Sequence, residues 1–164
     1  MPTEIAEFDT HDGRILEELQ RDARITMAEL GRRVQLSQPA VTERVRKLET
    51  AGVITGYRAT VDLSALGYGI RALMRVGRAE YARVVKLVQQ TPEVVNAWNV
   101  TGEDSWIMEI AVIDVAHLDA VVTKFCILTE TSTSIVLNAA RAHQTMLPPR
   151  REDVKPPIKK VENA

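Results

Sequence analysis

Cysteine and histidine are scarce in this 164-residue chain, and each scarcity removes a class of function. A single cysteine, Cys126, excludes an internal disulfide and a cysteine-rich zinc site. It lies among Val121, Val122 and Phe125 on a helical stripe, which predicts a packed thiol. The three histidines, His11, His117 and His143, are dispersed and share no metal-ligand spacing, so no metal site is expected. With the thiol in an apolar stripe there is no nucleophile and base in sequence context either, and catalytic residues are expected to be absent. Gly67-Tyr68-Gly69 is too short for a phosphate loop or a dinucleotide fingerprint, so no cofactor is implied. No stretch approaches the roughly 20 apolar residues of a membrane span. The opening MPTEIAEFDTHDGR is acidic rather than a basic region before an apolar run, which predicts a cytoplasmic protein.

What is present is 45% hydrophobic and 26% charged, the composition of a soluble globular chain. Net charge is −1, but it is unevenly spread. Residues 1–23 carry two basic against seven acidic side chains, and residues 24–58 carry seven basic against three acidic. A basic segment inside a near-neutral protein points to a polyanion, set against the commoner alternative of solvated charge on a helix face.

Three short helices are predicted first. Ile15, Leu16 and Leu19 give one apolar face; Thr26 with Glu29 reads as a capping box for a second helix burying Leu30 and Val34. After "QLS", Ser37 is a good N-cap and Pro39 suits a first turn, where amides lack intrahelical partners. This third helix runs to about Thr50, and Ala51-Gly52 ends it. "VITGYRATVD" alternates like a strand pair turning at Gly56. From "LGYG" the pattern changes to strand, helix, strand, strand, helix, strand, with Leu118, Val121, Val122, Phe125 and Leu128 on the second helix. The apolar Ile107, Met108, Ile110 and Val112 and a sheet covered on one side only predict a dimer at least. The predicted divisions are a three-helix domain with its connecting strand over 1–62, a hinge over 63–69, a ferredoxin-like domain over 70–144 and an extended tail over 145–164.

On the third helix Val41, Val45 and Leu48 share one side, and Gln38, Pro39, Thr42, Glu43 and Arg46 cover the other. A helix can enter the major groove of double-stranded DNA with its N-terminal residues at base edges: Gln suits adenine, Arg suits guanine, and Thr or Pro can touch a thymine methyl. Ser37 to Ala40 is small enough for close approach. Arg32, Arg33, Arg44 and Lys47 lie on the flanks, where phosphates would be.

The stretch Asp12 to Tyr68 resembles the DNA-binding half of the Lrp/AsnC family of transcriptional regulators, and "VTGEDSWIMEIAV" with "TSTSIVL" resembles its ligand-binding half. The resemblance covers about Asp9 to His143. It implies an α+β chain, a winged helix-turn-helix followed by a βαββαβ effector domain, with dimers that often assemble further to tetramers or octamers and amino-acid-like effectors. In "VTGEDSW", Val100 to Trp106, Gly102 allows backbone amides close to a carboxylate and Glu103 or Asp104 can balance an ammonium; the residues alone equally allow an ordinary hairpin turn. The resemblance implies a pocket lined by Val100, Thr101, Gly102, Glu103, Asp104, Ser105 and Trp106, completed by Thr131, Thr133 and Ser134. Many members carry a carboxylate where this chain has Ser105. The expected function is an effector-responsive transcriptional regulator; the alternative is an architectural DNA-binding protein without an effector.

Overall fold

The computed structural model describes residues 8–140 and 144–148 and divides into two compact units, one of residues 1–59 with 143–164 and one of residues 60–142. In the first, α1 (Thr10–Arg21), α2 (Met27–Val34) and α3 (Gln38–Thr50) enclose a core of Ile15, Leu19, Ile25, Leu30, Val34, Val41, Val45 and Leu48. Each helix starts on a side-chain cap. Asp9 and Asp12 form a reciprocal capping box on α1. Thr26 accepts from the Glu29 amide, but this box is only half made, because the Glu29 carboxylate is taken by Arg32 and Arg33. The Ser37 hydroxyl accepts from the Ala40 amide, with Pro39 in the first turn, as the sequence predicts.

The tight α2–α3 turn depends on two residues. Gln35 adopts a left-handed conformation with φ 60°, and the Leu36 amide bonds back to the Gly31 carbonyl at 2.8 Å. Gly31 is needed because a Cβ there would lie 2.7 Å from the Leu36 carbonyl oxygen.

The strand pair expected over residues 53–62 does not form; that stretch carries no strand. Alternation predicted strands, but every residue from Thr55 to Asp62 is exposed, and a two-stranded hairpin with no layer beneath it is marginal in water. The short piece Gln144–Pro148 groups with the helices: the Gln20 amide donates to the Met146 carbonyl at 2.7 Å and accepts from its N–H at 2.8 Å. The rest of the expected tail, from residue 149, lies outside the described residues.

The second unit is the expected βαββαβ arrangement: β1 (Ile70–Val76), α4 (Tyr81–Gln89), β2 (Val94–Asn99), β3 (Trp106–Val112), α5 (Val115–Cys126) and β4 (Thr131–Ile135). The four strands are antiparallel in the order β2-β3-β1-β4. Ala72, Met74, Val76, Trp106, Met108, Ile110 and Val112 bury one face beneath Val84 of α4 and Leu118, Val121 and Phe125 of α5. Met108, Ile110 and Val112 are thus committed to the unit's own core, and of the apolar residues expected at a partner only Ile107 lies on the open face. Cys126 is exposed rather than packed, with Sγ 3.0 Å from the Thr131 hydroxyl. One position beyond Phe125 is 100° around the helix, enough to leave the stripe. Among the described residues no helix is long and apolar enough to cross a membrane.

Replacing Gly31 by alanine forces the Cβ into the Leu36 carbonyl, so the α2–α3 turn must open. Overpacking of this kind costs about 1–3 kcal/mol. Thermal melting followed by circular dichroism is expected to show that loss, whereas Gly13→Ala, where a Cβ meets nothing within 4 Å, leaves the midpoint unchanged or raises it.

Candidate functional site

The outer face of α3 is built by what the inner face must do. Val41, Val45 and Leu48 are buried, which turns Gln38, Pro39, Thr42, Glu43, Arg46 and Lys47 to solvent. The Thr42 hydroxyl donates to the Gln38 carbonyl at 2.8 Å, leaving its methyl as the group available outward. Pro39 and Ala40 add no polar group at the N-terminus.

The basic residues expected around this face differ in what holds them. Arg46 makes two bonds to Glu43, at 2.9 and 2.7 Å, and that contact is the main reason the Glu43 carboxyl sits below its usual range. Arg33 bridges Glu18 of α1 at 2.8 Å and Glu29 at 2.9 Å, and Arg32 pairs with Glu29. Lys47 makes no ion pair among the described residues. Arg44, expected on a phosphate-facing flank, instead turns onto α1. Its Nη1 lies 2.8 Å from Asp12 and 2.7 Å from Asp9, the two residues of the α1 capping box. Those carboxylates, Asp12 first, raise the guanidinium pKa above its ordinary value, and only 32% of the side chain is exposed. Sequence spacing signals the i, i+3 pair Glu43–Arg46; nothing local signals Arg44 with Asp9 and Asp12.

The second group of candidates surrounds the β2–β3 turn. Thr101, Gly102 and Glu103 are exposed, and Gly102 has φ 130°, a conformation that side chains other than glycine's rarely permit. The turn is anchored at its base: the Val100 amide donates to the Ser105 carbonyl at 2.9 Å, the Ser105 amide to Val76 at 3.0 Å, and the Asn99 side chain to Ser105 at 2.8 Å. Asp104 lies 3.6 Å from Arg75, a partner absent from the sequence expectation. Trp106 is buried on the helix side of the sheet, its ring 5.3 Å from that of Tyr81. Thr131 lies opposite Val76 and so at the same end of the sheet as the turn. Thr133 and Ser134 are further along β4 and face opposite sides: Thr133 pairs with buried Met74, and Ser134 with Leu73 on the open face. The Thr133 hydroxyl is buried without a hydrogen-bond partner.

Comparison with known proteins agrees with both halves of this geometry. Residues 8–55 match the model for winged helix-turn-helix DNA-binding domains, and residues 72–146 match the Lrp/AsnC ligand binding domain. The chain is 45% identical over 108 residues to the leucine-responsive regulatory protein of Rhizobium meliloti, covering 63% of this chain and 69% of the relative. The structure of LrpC from Bacillus subtilis aligns with a TM-score of 0.79 at 30% identity, over 83% of this chain and 99% of that one. A transcriptional regulator from Neisseria meningitidis, solved as its L-Met complex, aligns with a TM-score of 0.78 at 27% identity, over 85% of this chain and 96% of that one. A helix-turn-helix with a presented α3 and a βαββαβ ligand-binding domain, in that order, identify the chain as a member of the Lrp/AsnC family of DNA-binding transcriptional regulators rather than an enzyme.

Proposed function

We propose that this regulator binds operator DNA as a dimer or larger assembly, with α3 in the major groove, and that a small amino acid bound near the β2–β3 turn changes that binding. The observation that carries the reading is the exposed face of α3, uncharged at its entry and basic at its edges, held outward by three buried residues. Gln38, Pro39, Thr42 and Arg46 are assigned to base edges, and Ser37 to the helix entry. Arg32, Arg33 and Lys47 are assigned to phosphates. Arg44 is assigned a different role from the other flanking residues: it fixes the tilt of α3 on α1. Exposed ion pairs are worth about 0–1 kcal/mol each, so a phosphate or a guanine edge can take Arg46 from Glu43 at small cost.

For the effector, the match to a ligand binding domain and the L-Met complex of the Neisseria meningitidis relative support an amino acid. The proposed site comprises Val100 to Trp106 with Thr131 and Thr133 on the helix side of the sheet; Ser134, also expected there, lies on the opposite face. Trp106 acts there as the buried support of the turn. The dimer is supported by the open face of the sheet, where Trp98 is 48% exposed and Leu73 42% exposed beside Ile107. Apolar groups of that size, flanked by the Arg71–Glu109 pair at 3.0 Å and Asn96, are what a second copy would cover.

Fluorescence anisotropy on the protein's own upstream DNA separates these roles. Lys47→Ala is expected to reduce the slope of log K against log salt by about 0.9, and Arg46→Ala to lower discrimination at one base position by about 1–3 kcal/mol. Arg44→Met is expected to lower the melting temperature and affinity while leaving the salt slope intact. Indistinguishable behaviour of all three would remove α3 from the groove.

Sedimentation at micromolar concentration is expected to show a dimer or larger species, and Leu73→Glu with Trp98→Glu to give monomers. A monomeric wild type would overturn the assembly.

Gly102→Val strains the backbone at φ 130° and adds bulk on an open side, since nothing lies within 4 Å of a Cβ there. The variant is expected to keep basal DNA binding and lose any amino-acid-dependent change in it. Such changes are typically worth 1–3 kcal/mol. An effector response equal to wild type would make the turn purely structural.

A further inference from the structure

The unit of residues 60–142 holds a cleft of about 270 Å³ at the end of its sheet remote from the β2–β3 turn. Its walls come from the segments just before β1 and β2 and just after β3, whereas the turn joins the end of β2 to the start of β3. One wall is the Leu66-Gly67-Tyr68 turn. Gly67 sits there at φ 94°, and the next glycine, Gly69, is packed so closely that a Cβ would meet the Ile113 carbonyl at 2.9 Å. The glycines of "LGYG", which no phosphate-loop reading absorbs, thus press an apolar turn against the end of β3. Leu66, Tyr68, Pro92 and Ile113 make the lining largely apolar.

The remaining lining residues, Glu93 and His117, are polar and bonded to each other: His117 Nε2 lies 3.0 Å from Glu93 Oε1. Both are held from behind. The Glu93 carbonyl accepts from the Ala111 amide at 2.9 Å, and the His117 amide donates to Asp114, the cap of α5, at 2.8 Å. The contact with His117 is the main reason the Glu93 carboxyl is held below its usual range, so it is charged at neutral pH. Its second oxygen, Oε2, is buried with no hydrogen-bond partner. Lys124 acts on this carboxylate through space but makes no ion pair with it among the described residues. A buried carboxylate oxygen without a donor is costly; the Glu93 side chain is 16% exposed, and a rotation of its carboxylate toward the cleft would let a ligand N–H satisfy that oxygen. No cluster of three metal-ligating side chains gathers among the described residues, so a donor suits the cleft better than a cation held by several ligands.

We propose that this cleft is a second small-molecule site, for a primary amine with a short apolar body. The ammonium meets Glu93, and the body lies against Leu66, Tyr68 and Ile113. An α-carboxylate on the same ligand is disfavoured, because the Glu93 carboxylate and that of Asp114, the cap of α5, repel it and the ring nitrogen His117 Nε2 is already engaged with Glu93. The site therefore selects amines over amino acids, which distinguishes it from the proposed effector site and makes it independent of that reading.

Isobutylamine, L-leucine and isovalerate, three probes with the same branched body, test this on the full chain at neutral pH by NMR. Isobutylamine is expected to shift the His117 imidazole and Gly67 amide signals saturably, with millimolar affinity, as suits so small a ligand. Isovalerate leaves them unmoved, and L-leucine binds there at least tenfold more weakly. Glu93→Gln is expected to weaken isobutylamine roughly tenfold or more. Tyr68→Ala, a change in the exposed turn that leaves the sheet core untouched, provides a second loss should Glu93→Gln unfold. Absence of a saturable shift with isobutylamine, or equal binding of isovalerate, overturns the proposal. Signals at Gly102 report the other site separately: L-leucine shifts there without isobutylamine shifts at His117 would sink this proposal and leave the effector reading standing.

Discussion

A thirteen-residue helix can bury only one stripe, and in α3 that stripe is Val41, Val45 and Leu48. Once those three leave water, the directions of all other side chains are set by the 100° step between residues. The Ser37 cap fixes where the helix starts, the left-handed Gln35 fixes how it leaves α2, and Gly31 lets the two backbones meet. Arg44 adds the one rotational constraint that packing leaves loose, because its guanidinium reaches both carboxylates of the α1 capping box. A helix proposed to read base edges has to hold its orientation before DNA arrives, and these contacts constrain that orientation from within the unit.

The positive charge of residues 24–58 is therefore not all available to a polyanion. Arg44 is committed to structure, Arg33 bridges two helices, and Arg46 rests on Glu43. The pairs differ in how easily they exchange. Arg46 and Glu43 are adjacent turns of one exposed surface, so their bond carries little net energy. Arg44 would have to abandon two partners and leave the Asp9 and Asp12 carboxylates without their cation, although both would still cap α1. Counting basic residues along the chain overstates the phosphate-binding surface for this reason.

Where the sequence was legible, one short-range rule decided the outcome. Helical periodicity located all five helices, α1 to α5, the Ser37 and Thr26 caps followed from local chemistry, and alternation with turn residues gave the βαββαβ order. It failed where the answer lay far away in sequence. Alternation in "VITGYRATVD" describes a chain able to be a strand, but a strand needs a partner, and residues 53–62 pair with no strand among the described residues. Ile107 and Met108 look equivalent as neighbours in an apolar run, yet strand alternation puts one on the open face and the other in the core. Cys126 sits one residue outside the stripe it was grouped with. Arg75 beside Asp104 and Tyr81 against Trp106 are contacts between elements, which no spacing rule encodes.

Those two contacts also bear on how the β2–β3 turn would hold an amino acid. Asp104 already faces Arg75, and Trp106 is turned inward against Tyr81, so neither is free to meet a ligand without giving up a partner. Glu103 is exposed and makes no ion pair among the described residues, which makes it the better candidate for an ammonium group. Arg75, 57% exposed, lies 3.6 Å from Asp104 and donates to the Ser132 hydroxyl at 3.5 Å. A ligand carboxylate could compete with Asp104 for it while the ammonium pairs with Glu103. An amino acid proposed to bind at this turn would therefore have to exchange partners around Arg75, with Gly102, at φ 130°, leaving the backbone open between the two acids.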